Sequence, residues 1–114
     1  MSIRYLDFRA TGFLNIPSSG AKTSAYTLNI ADVGKYVEIG TGGSIVIPDG
    51  IFSQGDVVSI FNNTSSSVTI TCSIATAYIA GGDADKPSMT LATRGMATIL
   101  FISETVCVVT GNIT

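Results

Sequence analysis

The chain has 114 residues, of which 12% are charged and 46% are apolar, and its formal net charge is −2. This length fits one domain but not two full-sized ones. The slightly acidic balance excludes a typical nucleic-acid-binding protein, because the six basic residues are scattered along the chain and form no basic cluster.

The low charge also bears on the surface. An average soluble domain has about 25% charged residues, and interfaces between permanently associated chains are apolar and poor in charge. The composition therefore predicts that other copies of the chain, or a partner, cover part of the surface. A monomer coated with Ser, Thr and Asn is the alternative.

The start of the chain predicts neither a secretory leader nor a membrane anchor. Arg4, Asp7 and Arg9 lie where a secretory signal needs an apolar run. No stretch reaches the about 20 apolar residues of a membrane-spanning helix. We therefore expect synthesis in the cytoplasm and no membrane partner.

Residues 1–17 combine apolar side chains with a few charges, and the apolar positions have neither the period of a strand nor that of a helix. They are expected to form an extended N-terminal arm or an irregular edge strand. The small residues at positions 18–22 (SSGAK) are expected to form a loop, and residues 18–114 to form a single β-domain.

The rest of the chain consists of short β-branched runs separated by Gly, Pro, Asn, Asp and Ser, which is typical of all-β proteins. We predict about seven to nine short strands in a compact antiparallel β-sandwich or barrel-like sheet. Two hairpins are expected. The first joins DVVSIF (56–61) to VTITCSI (68–74), and the second joins ATILFIS (97–103) to ETVCVVTG (104–111).

Two features of these strands suggest how they are buried. In VTITCSI the apolar residues share one parity and the hydroxyl residues the other, which predicts one buried and one wetter face. The apolar runs of residues 99–102 and 106–109 have no such alternation, and they predict strands covered on both faces.

Cys72 and Cys107 both lie within strand-like runs. A disulfide would form if their strands were neighbours, but Cys is also one of the most buried residue types without any bond. For a product of the cytoplasm we predict two buried free thiols.

No pattern of residues predicts catalysis or metal binding. The chain has no His, which is the commonest general base and metal ligand. Most of the carboxylates lie in turn sequences, and Asp83 and Asp85 lack the closing Glu of a calcium loop. The glycine-rich residues 40–43 precede a strand-like run instead of a helix, so a phosphate-binding loop is not expected. We therefore predict no catalytic, cofactor or metal site, and a protein that is not an enzyme.

Four stretches between Ala31 and Thr114 carry a resemblance to known proteins. They are ADVGKYVEI, IPDGIFSQGDVVSIFNNTSSSVTIT, LATRGMATILFIS and the closing VCVVTGNI. They resemble a family of small β-domains in the virion proteins of tailed bacteriophages, namely head decoration (cement) proteins, head-fibre proteins and the tips of tail fibres. In that family a Gly-Asp or Gly-Thr turn opens the central hairpin, an Arg-Gly turn precedes the apolar penultimate strand, and the chain ends soon after a final Gly-Asn or Gly-Asp.

The dipeptides Gly55-Asp56, Arg94-Gly95 and Gly111-Asn112 match those family positions. The Trp that often occurs in the last strand of such domains is absent near Cys107. The resemblance implies a virion structural protein that forms a homotrimer. Because only a short stretch precedes it, whereas a tail fibre presents such a domain at the end of a long chain, we expect a capsid decoration protein that binds the major capsid protein on the outside of the phage head.

Two sets of residues are candidates for contacts. Arg and aromatic side chains are enriched at the centres of interfaces, so the arm is predicted to contact the capsid, with the edge strand as the alternative. Its candidates are Arg4, Tyr5, Phe8, Arg9, Phe13 and Leu14. The apolar C-terminal hairpin supplies the candidates for the trimer contact or the core, which are Ile99, Phe101 and Val108. A tail-fibre or receptor-binding tip and a carbohydrate-binding module are the alternative functions.

Overall fold

The computed structural model describes residues 15–114. Most of the N-terminal arm predicted from the sequence, with all six of its capsid-contact candidates, lies outside the described residues. The described part is a nearly all-β domain with ten strands in two sheets. Its single helical element is a 3-10 turn at Ile30–Asp32.

The strands are numbered in chain order. The six-stranded sheet has the order β1-β3-β5-β9-β10-β7, and the four-stranded sheet the order β2-β4-β6-β8. Their bounds are β1 Ser18–Lys22, β2 Ala25–Thr27, β3 Tyr36–Ile39, β4 Ser44–Ile47, β5 Val57–Asn62, β6 Val68–Cys72, β7 Thr76–Ile79, β8 Ser88–Leu91, β9 Met96–Phe101 and β10 Val106–Gly111.

From β1 to β9, each strand lies in the other sheet from the strand before it. The pairs β1–β2, β3–β4 and β5–β6 each add one strand to both sheets, and the added strands run parallel to those before them. Only β9 and β10 follow each other within one sheet. Because successive strands face each other instead of pairing, the first six strands stack as three similar layers.

This topology corrects the prediction of an antiparallel domain, and its ten strands slightly exceed the predicted seven to nine. Five of the eight strand pairings are parallel: β1 with β3, β3 with β5, β2 with β4, β4 with β6, and β7 with β10. The hairpin predicted over residues 97–111 is confirmed, since β9 and β10 are antiparallel. The hairpin predicted over residues 56–74 is wrong, because β5 and β6 lie in different sheets.

Asn62 explains why the chain leaves the sheet after β5. Its buried side-chain amide donates to the backbone carbonyls of Ser66 (2.7 Å) and Ala92 (3.0 Å), and its carbonyl accepts from Thr64. These bonds hold the β5–β6 connection against the connection between β8 and β9. A short polar loop between two strands is common to hairpins and to sheet crossings, so the sequence pattern does not separate them.

The expected loop at positions 18–22 is also wrong, since these residues form β1. Lys22 ends β1 close to the loop before β4, where Gly43 lies against it: a Cβ at position 43 would be 2.2 Å from the carbonyl oxygen of Lys22. Only glycine allows this approach of two backbones. The end of β1 therefore lies directly against the turn that leads into β4.

A buried carboxylate ties β1 and β2 together. Asp32 accepts hydrogen bonds from the hydroxyl groups of Ser19 on β1 and Tyr26 on β2 (2.8 Å for Tyr26), and from the backbone N–H of Asn29 (2.9 Å). Partial burial, followed by the bond to Asp32, raises the pKa of the Tyr26 phenol. The carboxylate thus joins the edge strands of both sheets through the hydroxyls of Ser19 and Tyr26.

One core cluster takes side chains from both sheets, with Ile45 and Ile70 of the small sheet among its members alongside Ile60 and Ile99 of the large one. Phe52, in the loop before β5, stacks on Phe101 with ring centroids 4.1 Å apart. Strand residues alternate between this core and the outside because successive side chains point to opposite faces. Each sheet therefore keeps an outer face that the described part of the chain leaves uncovered.

Candidate assembly interface

The outer face of the six-stranded sheet carries the largest group of exposed apolar side chains. Met96, Leu100 and Ile102 are 57%, 40% and 45% exposed. Val57, Phe61 and Val108 point outward beside them and are half-buried. We call these six residues the apolar face.

The register of the strand pairs determines which residues lie next to each other on the apolar face. Leu100 of β9 lies between Val57 of β5 and Val108 of β10, and Phe61 of β5 pairs with Met96 of β9. Residues paired across strands lie on the same side of a sheet with their Cβ atoms about 5 Å apart. Tyr78 of β7 extends the Val108 row toward the edge of the sheet.

The strand pairings divide the apolar face into two groups, one around Leu100 and one formed by Phe61 and Met96. A row of hydroxyl residues runs between these two groups. Ser59 and Thr98 are paired in the register, and Tyr36 and Thr110 continue the row on either side. The hydroxyl oxygens of Ser59 and Thr98 are 3.4 Å apart and share a hydrogen bond. Ser59 is buried, but Thr98 is half-buried and Thr110 is exposed. Because hydroxyls both donate and accept, these two can bond either to water or to the hydroxyls of another copy.

Charge is almost absent from this surface. Among the described residues, the outward positions of β5, β7, β9 and β10 hold no Asp, Glu, Lys or Arg. Glu38 on β3 points outward at the side of the face, and its carboxylate accepts a hydrogen bond from the Asn63 amide at 3.1 Å. The face can therefore be desolvated without burying an ionised group at its centre.

The structure separates the three candidates predicted for the trimer contact or the core. Ile99 and Phe101 are fully buried between the sheets, whereas Val108 points outward on the apolar face. Leu100, between the first two in sequence, is exposed. The sequence predicts that residues 99–102 are covered on both faces. Among the described residues, the core covers their inner side, and nothing covers their outer side.

The three dipeptides of the phage resemblance all lie at turns next to this sheet. Gly55 has φ +88° just before β5, Arg94 has φ +51° just before β9, and Gly111 has φ +132° at the end of β10. Asn112 secures the last turn, because its side-chain carbonyl accepts from the backbone N–H of Met96 at 3.0 Å. These residues shape the ends of the strands that carry the apolar face.

A second candidate is a shallow groove of about 520 Å³ between the turn before β4 and the loop before β6. Hydroxyl side chains and glycines line most of it, and its lining has no aromatic or charged side chain. Such a wall offers hydrogen bonds but no stacking surface. The sequence analysis missed this groove, since its two loops are far apart in the chain.

The two cysteines are free and buried, as predicted. Burial raises the pKa of the Cys72 thiol to about 11 and that of the Cys107 thiol to about 12, with a smaller contribution from nearby charge. A high pKa leaves little of the nucleophilic thiolate at neutral pH. Within residues 15–114, no group of three or more His, Cys, Asp or Glu side chains is placed to hold a metal ion.

Comparison with known proteins finds no matching family model and no matching curated protein. Among the described residues, no helix is long and apolar enough to cross a membrane.

Proposed function

We propose that the protein is a structural component of a bacteriophage particle, a capsid decoration protein that binds the outside of the head as a homotrimer. The observation that carries the proposal is the uncharged apolar face on the six-stranded sheet. Apolar patches of this kind on soluble proteins mark interaction sites. The resemblance of residues 31–114 to virion β-domains supports a phage particle as the setting, and a β-sandwich is the proposed description of the two-sheet fold.

In this proposal the arm and the domain have separate tasks. The arm, with Arg4, Phe8 and Phe13 among its contact residues, binds the major capsid protein. An extended chain spans about 3.3 Å per residue, so the arm is long enough to cross a boundary between two shell subunits. The β-domain holds three arms together and so provides three attachment points.

The proposed effect on the particle is mechanical. A protein that binds the assembled shell and not its separated subunits stabilises the assembled state by mass action. Three linked arms also strengthen attachment, because binding of the first raises the effective concentration of the others.

Copy number on purified virions tests this function. Quantitative mass spectrometry of particles from the phage that encodes the chain should give a copy number close to that of the major capsid protein. Particles made without the protein should release DNA at a lower temperature than coated particles. A few copies per particle, with unchanged DNA release, would instead indicate a tail-fibre or receptor-binding tip.

Carbohydrate binding is the second candidate function, and the hydroxyl-lined groove is the observation that favours it. Hydroxyl groups pair with sugar hydroxyls, but the lining lacks the aromatic ring on which a sugar face would stack. A glycan array probed with the full chain separates the two functions. A specific hit that is lost in a Thr69→Arg variant would favour the groove.

A further inference from the structure

We infer that further copies of this chain occupy the apolar face, so that the outer surfaces of the six-stranded sheets of neighbouring subunits meet around the three-fold axis of the trimer. The inference rests on the proposed function, which supplies the homotrimer. It adds the surface through which the subunits contact each other. The reasons are the area of the face, its charge and the sequence of the strands that carry it.

The outer surface of the six-stranded sheet approaches the area that a stable protein contact needs. Six strands about 4.8 Å apart and on average about 17 Å long give an outer surface of about 500 Å² in projection. Accessible area follows the side chains and exceeds this projection. A standard interface takes about 800 Å² from each partner, so nearly the whole sheet surface, not the six apolar residues alone, takes part.

Charge favours an identical copy over a charged partner. Leu100 and Val108 at the centre of the face have no ionised neighbour on β5, β7, β9 or β10, so an acidic or basic partner would bury its own charges without compensation. An identical face brings apolar side chains against apolar side chains. Its Ser59–Thr98 row brings hydroxyls that donate and accept equally well.

The outward side chains of β9 and β10 give a third reason. Met96, Leu100 and Val108 are apolar, whereas Thr69 and Thr71 at outward positions of β6 carry hydroxyls. Strands with apolar residues at both parities are typical of sheets that are covered on both sides. The inner side of β9 and β10 is covered by the core, and the neighbouring copies supply the outer cover.

The test compares the full chain with charge variants on and off the face. Sedimentation over a range of concentrations should show an oligomer for the unchanged chain. Leu100→Glu and Met96→Glu should each raise the dissociation constant about 30-fold or more, the size of effect found at the centres of interfaces. Ile30→Glu is the matched control, because Ile30 is 59% exposed in the 3-10 turn, off the sheet, and it should leave the dissociation constant unchanged.

Circular dichroism shows whether each variant is folded. If Leu100→Glu unfolds, Leu100→Ala keeps the surface uncharged and should still weaken the oligomer more than Ile30→Ala does. The inference fails if the unchanged chain is a monomer at micromolar concentration, or if variants on and off the face have the same dissociation constant. A monomer that begins to associate when residues 1–14 are deleted would show that the chain's own arm covers the face.

The two proposals can fail separately. A particle with only a few copies of the protein would end the decoration proposal but leave a face-dependent oligomer standing. A monomer that coats capsids at high copy number would end the present inference and leave the decoration function standing.

Discussion

The outer faces of the two sheets differ although both lack charge at most positions. The six-stranded sheet presents Met96, Leu100 and Val108, whereas the four-stranded sheet presents Thr69, Thr71 and Thr90 at equivalent outward positions. Hydroxyls bond to water, so the small sheet is stable in solvent as it stands. The large sheet gains free energy from any cover that removes its apolar area from water, about 25 cal/mol for each Å².

This difference shows that a surface with few charged residues can be either polar or apolar. Low charge across the whole chain suggested a covered surface, but it does not say which surface. The four-stranded sheet shows that an uncharged face can be polar and need no partner. Only the apolar side chains of β5, β9 and β10 point to a place where association is favourable.

The largest effect is expected from a charge on the inner side of the large sheet. Ile99→Asp places a carboxylate in the core, where Ile99 is fully buried. An unpaired buried charge costs several kcal/mol, comparable with the total stability of a small domain, so the variant should be unfolded. Circular dichroism and thermal melting measure this.

The neighbouring position provides the control for that change. Leu100→Asp introduces the same side chain one residue later, on the outer side of the same strand. It should keep the β spectrum and lose association instead. Unfolding of both variants at low protein concentration would mean that the two sides of the sheet are not distinct, and the comparison of faces would fail.

Removing the arm tests whether the arm, and not the outer face of either sheet, binds the capsid shell. A chain that lacks residues 1–14 should keep its β spectrum, melting temperature and oligomeric state, because the described strands begin at Ser18. It should lose binding to capsids in a cosedimentation assay. Full binding by the shortened chain would move the shell contact to the β-domain, and unfolding would favour the edge strand that the sequence left as the alternative.

A pH titration examines the inner sides of the sheets. The folded pKa values of Cys72 and Cys107, about 11 and about 12, lie above the ordinary thiol value of 9.0. Between pH 9 and pH 11 the unfolded chain therefore loses protons that the folded chain retains, so stability falls as pH rises. The loss should be on the order of 1 kcal/mol for each thiol at pH 10.

Denaturant melts at pH 7.5 and pH 10 measure this loss, and Cys72→Ala/Cys107→Ala provides the control. Its stability should change less between the two pH values than that of the unchanged chain. An Ellman assay should detect both thiols only after unfolding. Rapid labelling of the folded chain at pH 8 would contradict the burial of the thiols.

How much the sequence predicts depends on whether the deciding contact is local. The parity of Ile70 and Cys72 against Thr69 and Thr71 was predicted correctly, because the alternation of a strand is visible within five residues. The same reasoning could not distinguish a hairpin from a change of sheet after β5. The contacts that accompany the change of sheet are not local, since Asn62 donates a hydrogen bond to Ala92, thirty positions later.

The apolar face shows the same limit. The run at residues 99–102 indicated strands covered on two sides, which drew attention to the right hairpin. It did not show that Ile99 and Phe101 meet the core while Leu100 lies on a separate surface with Val57 and Phe61. Those partners come from β5, which the sequence pattern had paired with β6 instead of β9.

The smallest effect is expected on the hydroxyl-rich face. Thr71 points outward from β6 and is exposed, so Thr71→Lys places its charge in water and removes no buried contact. Surface changes of this kind alter the free energy of unfolding by about 0.5 kcal/mol or less. The four-stranded sheet has no part in the inferred contact, so the variant should also sediment as the unchanged chain does. If Thr71→Lys and Leu100→Glu dissociate equally, association does not distinguish the two faces. If the Thr71→Lys oligomer stays intact while the Leu100→Glu chain dissociates, the contact is assigned to the six-stranded sheet.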